Sequence, residues 1–436
     1  MSPEIQIIFV FGVFLGLLVL GMSVPFAIAV PSLVYVFLQT GVNGFRALGV
    51  VSWGSTASFV LTAIPLFLLM AEIMQRSGLT TRIYTSLAKL VSLLPGRLLQ
   101  TNVIGCAIFS SISGSSIATA AAIGGVALPE LQRQKYDPRL SAGSLAAGGT
   151  LGILIPPSLA MIIYSSFTET SVARLFMAGV GPGLLLTAMF CTYIAIVAIA
   201  RPHVAPKSAG LADMKLGAWL RALADILPFV VLILAVLGSI YTGFATPTES
   251  AALGCIAVLV LCKLFGQMSW RIVGEALHNT VVVVGNILFI VLAAYLFSYA
   301  ISTAGVGDRI TEWVVSLQLS KLEFYVAVFI LYTILGCLVE SVGMIVLTVP
   351  LLFPILPQFG IDPIWFGIML VVFIELGQIS PPIGINLYVV QAMWNGKLSD
   401  VVMGTIPFHI IMIVLLVLLV IWPEIALWLP SRMMAR

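Results

Sequence analysis

Charge is what this chain has least of. Only 8% of its 436 residues are Asp, Glu, Lys or Arg while 61% are hydrophobic, and a soluble domain would carry roughly 25% charged residues. That excludes a soluble fold and predicts an all-α polytopic membrane protein, because apolar runs of about 20 residues read as spanning helices. The formal net charge of +3 is small and dispersed, with no basic run, so nucleic acid is not an expected partner. Histidine is scarcer still: His203, His278 and His409 form no His-Glu-x-x-His pattern, which removes the commonest signature of an intramembrane metalloenzyme. The five cysteines lack the close pairing of a zinc or redox motif and read as small buried hydrophobes. No basic region precedes the first apolar run after Met1-Ser-Pro-Glu-Ile, which predicts a retained first span in place of a cleaved signal.

Glycine and proline carry most of the remaining information. Gly149 to Pro157 reads Gly-Thr-Leu-Gly-Ile-Leu-Ile-Pro-Pro inside a segment otherwise apolar enough to cross a bilayer. A double proline removes two donors and blocks the turn before it, so a helix here must break. At an offset of 225 residues the pattern returns as Glu375-Leu-Gly-Gln-Ile-Ser-Pro-Pro, with Gly152 over Gly377 and Pro156-Pro157 over Pro381-Pro382. Pro129, Asp137-Pro138, Gly179 and Pro182 likewise meet Pro354, Asp362-Pro363, Gly404 and Pro407. Further upstream the offset is 222, where Gly16, Gly21 and Pro25 meet Gly238, Gly243 and Pro247. What repeats is the set of backbone breaks.

Spans are expected near 5–22, 24–40, 54–75 and 175–200, then 225–243, 248–264, 280–304 and 403–422, with broken helices at 140–166 and 365–391. Two regions resist this reading. Residues 97–131 are split by Ser110, Ser111, Ser113, Gly114, Ser115 and Ser116 into pieces too short to cross, and 325–356 are split around Glu340-Ser341-Val342-Gly343. Such pieces fit re-entrant hairpins, whose non-helical tips are tolerated where protein or a watery cavity surrounds them. The segments from Arg82 to Leu94 and from Asp308 to Leu322 read as interfacial helices. The predicted organisation is therefore a first repeat over 1–205, a cytoplasmic linker over 206–222 and a second repeat over 223–436. Each half crosses an odd number of times, so the copies are inverted, the design that gives one midplane site two-sided access. With both termini outside, 14 of the 20 Lys and Arg fall in cytoplasmic loops, the sign that the positive-inside rule requires.

The polar inventory at membrane depth is small. Serines at the first tip should cap a helix whose free N–H groups face the cavity and favour an anion. Carbonyls freed at the breaks suit sodium. Small-residue packing is the alternative for the serine cluster, but a copied break is not required by packing. No arginine is expected where it could clamp a carboxylate, so substrate would be held by hairpin N-termini, by the hydroxyls of Ser115, Ser116, Thr119 and Ser158, and by Asn386. Glu340 and Glu375 lie near the second break as possible ion-coupling acids, whereas Glu72 and Glu249 read as structural anchors. An intramembrane enzyme would need a base beside a hairpin serine, and no His or Lys lies in the apolar parts of the hairpins.

Ser111 to Thr119, Ala147 to Ser158, Thr246 to Ala252 and Glu375 to Leu387 together resemble the large membrane subunit of the tripartite ATP-independent periplasmic (TRAP) transporters, over nearly the whole chain. The resemblance implies sodium-driven uptake of an organic acid by an elevator movement in a bacterial inner membrane. It implies two partners, a small four-helix membrane subunit on a separate chain and a periplasmic substrate-binding protein. It implies at least two coupling ions and no organic cofactor. Carried over by position, one sodium site would use Ser110, Ser113, Gly152, Ile155 and Pro157, and the second Gly336, Gly377, Ser380 and Ile383, largely through backbone oxygens. The chain departs from the family pattern at Phe373, where many members have Asn, and at Glu340, where Asp is common. A stand-alone ion-coupled carrier and a channel are the alternatives within membrane transport.

Overall fold

The computed structural model describes residues 12–206 and 216–433 apart from 15, 304, 338 and 395, with only the backbone described at 45, 47, 55, 56, 216 and 308. The start of the expected first span and most of the expected linker lie outside the described residues. No strand occurs among those described.

The first half runs through α1 (Val24–Thr40), α2 (Gly44–Thr56), α3 (Ala63–Arg76) and α4 (Leu79–Leu90). A hairpin of α5 (Leu98–Ser113) and α6 (Ser116–Arg133) follows, then a broken span of α7 (Pro138–Leu154) and α8 (Leu159–Thr168), and the long α9 (Val172–Ala200). The second half repeats the plan with α10 (Leu216–Tyr241), α11 (Pro247–Phe265), α12 (Trp270–Thr303) and α13 (Val306–Ser316). Its hairpin is α14 (Lys321–Gly336) and α15 (Ser341–Leu352), its broken span α16 (Pro363–Gln378) and α17 (Ile385–Trp394), and α18 (Leu398–Ile421) and α19 (Glu424–Met433) close the chain.

Three boundaries differ from expectation. The span expected at 54–75 divides between α2 and α3, with a 3-10 turn at Val60–Thr62 between them; Pro65 has no backbone donor and is accommodated where a new helix begins. The helix expected from 280 starts at Trp270, its first turns carrying the Arg271–Glu275 pair at 2.8 Å, which supports helix beyond the apolar stretch. Helix α10 is already formed at Leu216, the first described residue after 206 and inside the expected linker. The segment from Val60 to Arg76 turns by 71° into Leu79–Leu93, through Gly78 in the left-handed conformation, consistent with an interfacial α4.

Both copies start their broken span the same way. Asp137 Oδ1 accepts from the Leu140 N–H at 2.8 Å, and Asp362 Oδ1 accepts from the N–H groups of Ile364 and Trp365 at 2.8 and 2.9 Å, each with proline at the first helical position. An acidic cap followed by proline suits a helix start, where the first donors have no partner in the helix. The expected cap at Thr246 is also formed: Glu249 Oε2 accepts from the Thr246 N–H at 2.8 Å and Thr246 Oγ1 from the Glu249 N–H at 3.3 Å.

The halves interlock. Hairpin arm α6 packs against α17 of the other half, and α15 packs against α8, so each hairpin leans on its partner's broken span. Helix α18 also packs along α7, where a Cβ on Gly143 would come 2.1 Å from the Gly404 carbonyl oxygen. At the first tip, a Cβ on Gly114 would lie 2.9 Å from the Pro157 carbonyl oxygen, and Pro157 is well inside the 31-residue span Pro138–Thr168. The tip therefore meets the broken span within its length and not at an end, as a re-entrant hairpin requires.

Gly143→Ala should lower the melting temperature of the purified protein, by a destabilisation of about 1–3 kcal/mol for forced overpacking. Gly125→Ala, inside α6 with open space around it, should keep or slightly raise it, since alanine costs less backbone entropy in a helix; an equal loss in both would contradict the interlocked packing.

Candidate ion and substrate site

At the first break, α5 ends at Ser113, and Gly114 turns the chain in the left-handed conformation at φ 62°, a region open to glycine at little cost. Ser115 then caps α6 by accepting from the Ala118 N–H at 3.4 Å. The Gly114 carbonyl accepts from the Leu159 N–H at 3.1 Å, so the hairpin tip satisfies the first donor of α8. Gly152 sits directly beneath the tip, where a Cβ would come 2.5 Å from the Ser115 carbonyl oxygen and 2.8 Å from the Thr119 hydroxyl. Ser113 Oγ and Thr119 Oγ1 share a hydrogen bond of 2.7 Å. The peptide between Pro156 and Pro157 is cis, as is that between Pro381 and Pro382. Among the described residues no donor reaches the carbonyl oxygens of Ile155 or Pro157.

The second break is built alike. Gly336 at the end of α14 touches Gly377 backbone to backbone, a Cβ on Gly336 falling 2.4 Å from the Gly377 Cα. Ser380 donates its N–H to the Gly377 carbonyl at 3.1 Å, and no donor among the described residues reaches the Ile383 carbonyl. The Cys337 thiol lies 3.1 Å from the Pro381 carbonyl oxygen. Glu375, Gln378 and Asn386 are fully buried, and their side-chain oxygens and nitrogens have no partner among the described residues. Phe373 packs its ring against Tyr332 and Phe329 of α14.

Between the tips lies a cavity of about 680 Å³. One side is formed by Gly114, Ser115, Ile117, Ala118 and Ala121 of the first hairpin with Glu340, Ser341 and Val342 of the second. The N-termini of α6 and α15 both open onto it. The opposite wall comes from Leu68, Glu72, Gln75 and Arg76 of α3 and from Asn279, Val283, Asn286, Ile287 and Ile290 of α12. A cavity with apolar walls and a few convergent polar groups is the usual form of a small-molecule site.

Over residues 11–425 the chain matches the family model described as the DctM component of the tripartite ATP-independent periplasmic transporters. The chain belongs to this family. It is 34% identical over 390 residues to the C4-dicarboxylate TRAP transporter large permease protein DctM of Pseudomonas aeruginosa, covering 89% of this chain and 90% of that protein. It is 29% identical to the sialic acid TRAP transporter large permease protein SiaM of Vibrio cholerae, covering 97% of each, and 28% identical to the ectoine TRAP transporter large permease protein TeaC of Halomonas elongata, covering 95% and 96%. Among solved structures, the YdaH transporter of Alcanivorax borkumensis superposes with a TM-score of 0.64 at 16% identity, over 88% of this chain and 89% of that one, which speaks to the fold alone.

In this TRAP large permease, the expected site residues separate into groups. Ser113, Gly152 and Pro157 meet around the first tip, while Ser110 turns its hydroxyl to the Cys106 carbonyl at 2.6 Å. Gly336, Gly377 and Ser380 meet at the second tip. Of the expected substrate ligands only Ser115 lines the cavity. Ser116 is buried, Thr119 faces Ser113, and Ser158 donates to the Ile153 carbonyl at 2.6 Å inside the break. Asn386 and Glu375 are buried away from the cavity wall, whereas Glu340 lines it.

The far wall was missed. The span expected to end at 75 left Arg76 in a loop, but α3 continues to it before Gly78 turns the chain, and Arg76 lines the cavity while bonded to Glu72 at 2.9 Å and Glu275 at 3.1 Å. Glu72, expected as a structural anchor, lines the same wall and accepts from Asn279 at 3.4 Å. Two sequence signals could have found this wall: the Glu72–Arg76 spacing of four, and Asn279 with Asn286 two turns apart on one helix face.

In a background free of native cysteines, a hydrophilic thiol reagent should modify S115C and N286C in the purified protein and spare S158C. Equal modification of all three would contradict the placement of the cavity.

Proposed function

We propose that this large permease imports an organic acid across a bacterial inner membrane, coupled to sodium, with its termini on the periplasmic side. The observation that carries the reading is the pairing of two helix breaks, where no donor among the described residues reaches the carbonyls of Ile155, Pro157 and Ile383, with a cavity onto which both hairpin tips open. Undonated backbone oxygens at membrane depth are costly unless a cation or water meets them, and hard cations take oxygen ligands. The open N-terminus of α6 supports a carboxylate on the substrate, since the first donors of a helix and its dipole favour an anion. The relatives named for C4-dicarboxylates, sialic acid and ectoine indicate the range of solutes among which the substrate falls.

The division of the cavity between hairpin tips on one side and α3 with α12 on the other supports an elevator movement. Hairpins and broken spans would travel as one body past these two helices, which pack on each other. Family membership supports two partners, a small membrane subunit and a periplasmic binding protein that delivers the substrate. The chain acts in transport, and no catalytic role is assigned to it.

Proteoliposomes holding both membrane subunits, offered a panel of labelled organic acids, should accumulate one of them only with an inward sodium gradient and the binding protein present. Robust uptake by this chain alone would contradict the tripartite reading and favour a stand-alone carrier. Gly152→Ala, which drives a methyl group into the Ser115 carbonyl, should reduce uptake at least about tenfold.

A further inference from the structure

The Ser380 hydroxyl has one hydrogen and two acceptors within reach. Its oxygen lies 2.7 Å from the Leu376 carbonyl oxygen and 3.1 Å from Nε2 of His409 on α18. The other ring nitrogen of His409, Nδ1, is 2.9 Å from the Thr405 carbonyl oxygen. A carbonyl can only accept, so Nδ1 carries a hydrogen, and in the neutral ring Nε2 is then an acceptor. Two acceptors thus compete for a single hydroxyl hydrogen.

The competition matters because of where Ser380 sits. It belongs to the second break, next to the backbone contact between Gly336 and Gly377. Two oxygens 2.7 Å apart are stable with a hydrogen between them or with a cation bridging them; with neither, their lone pairs face each other. The hydrogen must leave the Leu376 carbonyl before both oxygens can face an ion, and His409 Nε2 is positioned to receive it. The first break has no such arrangement. At the repeat offset of 225, Ser380 falls on Ile155 and His409 on Leu184, an exposed leucine.

We infer that His409 is a positioning residue for the second ion site. When sodium enters between the Leu376 carbonyl and Ser380 Oγ, the hydroxyl hydrogen rotates onto His409 Nε2 and both oxygens are presented to the ion. The inference rests on the sodium-coupled reading above. It makes the second ion site depend on a side chain in α18, outside both the hairpin and the broken span.

The experiment is the sodium dependence of uptake by the complete reconstituted transporter. His409→Leu and His409→Met both remove the acceptor while keeping bulk, and each should raise the half-saturating sodium concentration by about tenfold. Substrate KM at saturating sodium should not change. His409→Asn or His409→Gln, whose side-chain oxygen can accept, should restore the sodium response. In a Ser380→Ala background, His409→Leu should add no further shift. Unchanged sodium dependence in both apolar variants, or an equal shift without the Ser380 hydroxyl, overturns the inference while leaving the sodium reading intact. A wild-type transporter indifferent to sodium overturns that reading and the role of His409 together.

Discussion

A backbone amide or carbonyl in the hydrocarbon core has no water to turn to, and the architecture follows from that constraint. A helix broken by Pro156-Pro157 would expose unpaired groups to lipid if it stood alone. Here each break is enclosed by a hairpin from its own half, and that hairpin is braced on the broken span of the other half. The enclosure satisfies some of the freed groups directly, as where the Gly114 carbonyl takes the Leu159 N–H, and leaves others, the Ile155 and Pro157 carbonyls, without a donor among the described residues. Structure and function diverge at that point: groups satisfied by protein hold the hairpin in place, and those left open can bind an ion.

The same constraint explains which features were legible in the sequence. Breaks, caps and close approaches depend on Gly, Pro and Asp-Pro at fixed places, so the two halves, both hairpins and both broken spans could be placed from Gly152, Gly377 and their neighbours. Side-chain directions were not legible. Helix α7 is buried from Leu140 through Leu154, and α16 from Ile364 through Gln378; helices covered all round carry no periodic pattern from which a facing direction can be read. Thr119 on α6 and Ser158 at the cap of α8 were also expected in the cavity, yet each is turned to a partner within its own half. Arg76 was misplaced for another reason: a charge at the end of an apolar run reads equally well as loop or as last turn, and only the position of the bend at Gly78 decides.

The two breaks are alike in backbone and unlike in chemistry. Around the second, Glu375, Gln378 and Asn386 are buried with no partner among the described residues, while the positions at the repeat offset of 225 in the first half are Thr150, Ile153 and Met161. Together with Ser380 and His409 this asymmetry makes the second the more polar of two breaks built on one backbone plan. An inverted repeat fixes the path of the chain and leaves each copy free to bind differently.

The central claim, that the broken helices hold sodium, is tested most directly by the melting temperature of the purified protein in sodium, lithium and potassium chloride at constant ionic strength. A ligand that binds only the folded state adds stability as its concentration rises above Kd, about 2.7 kcal/mol at a hundredfold excess. The account predicts a midpoint that climbs with sodium and stays flat in potassium. Coincident curves in the two salts would contradict it.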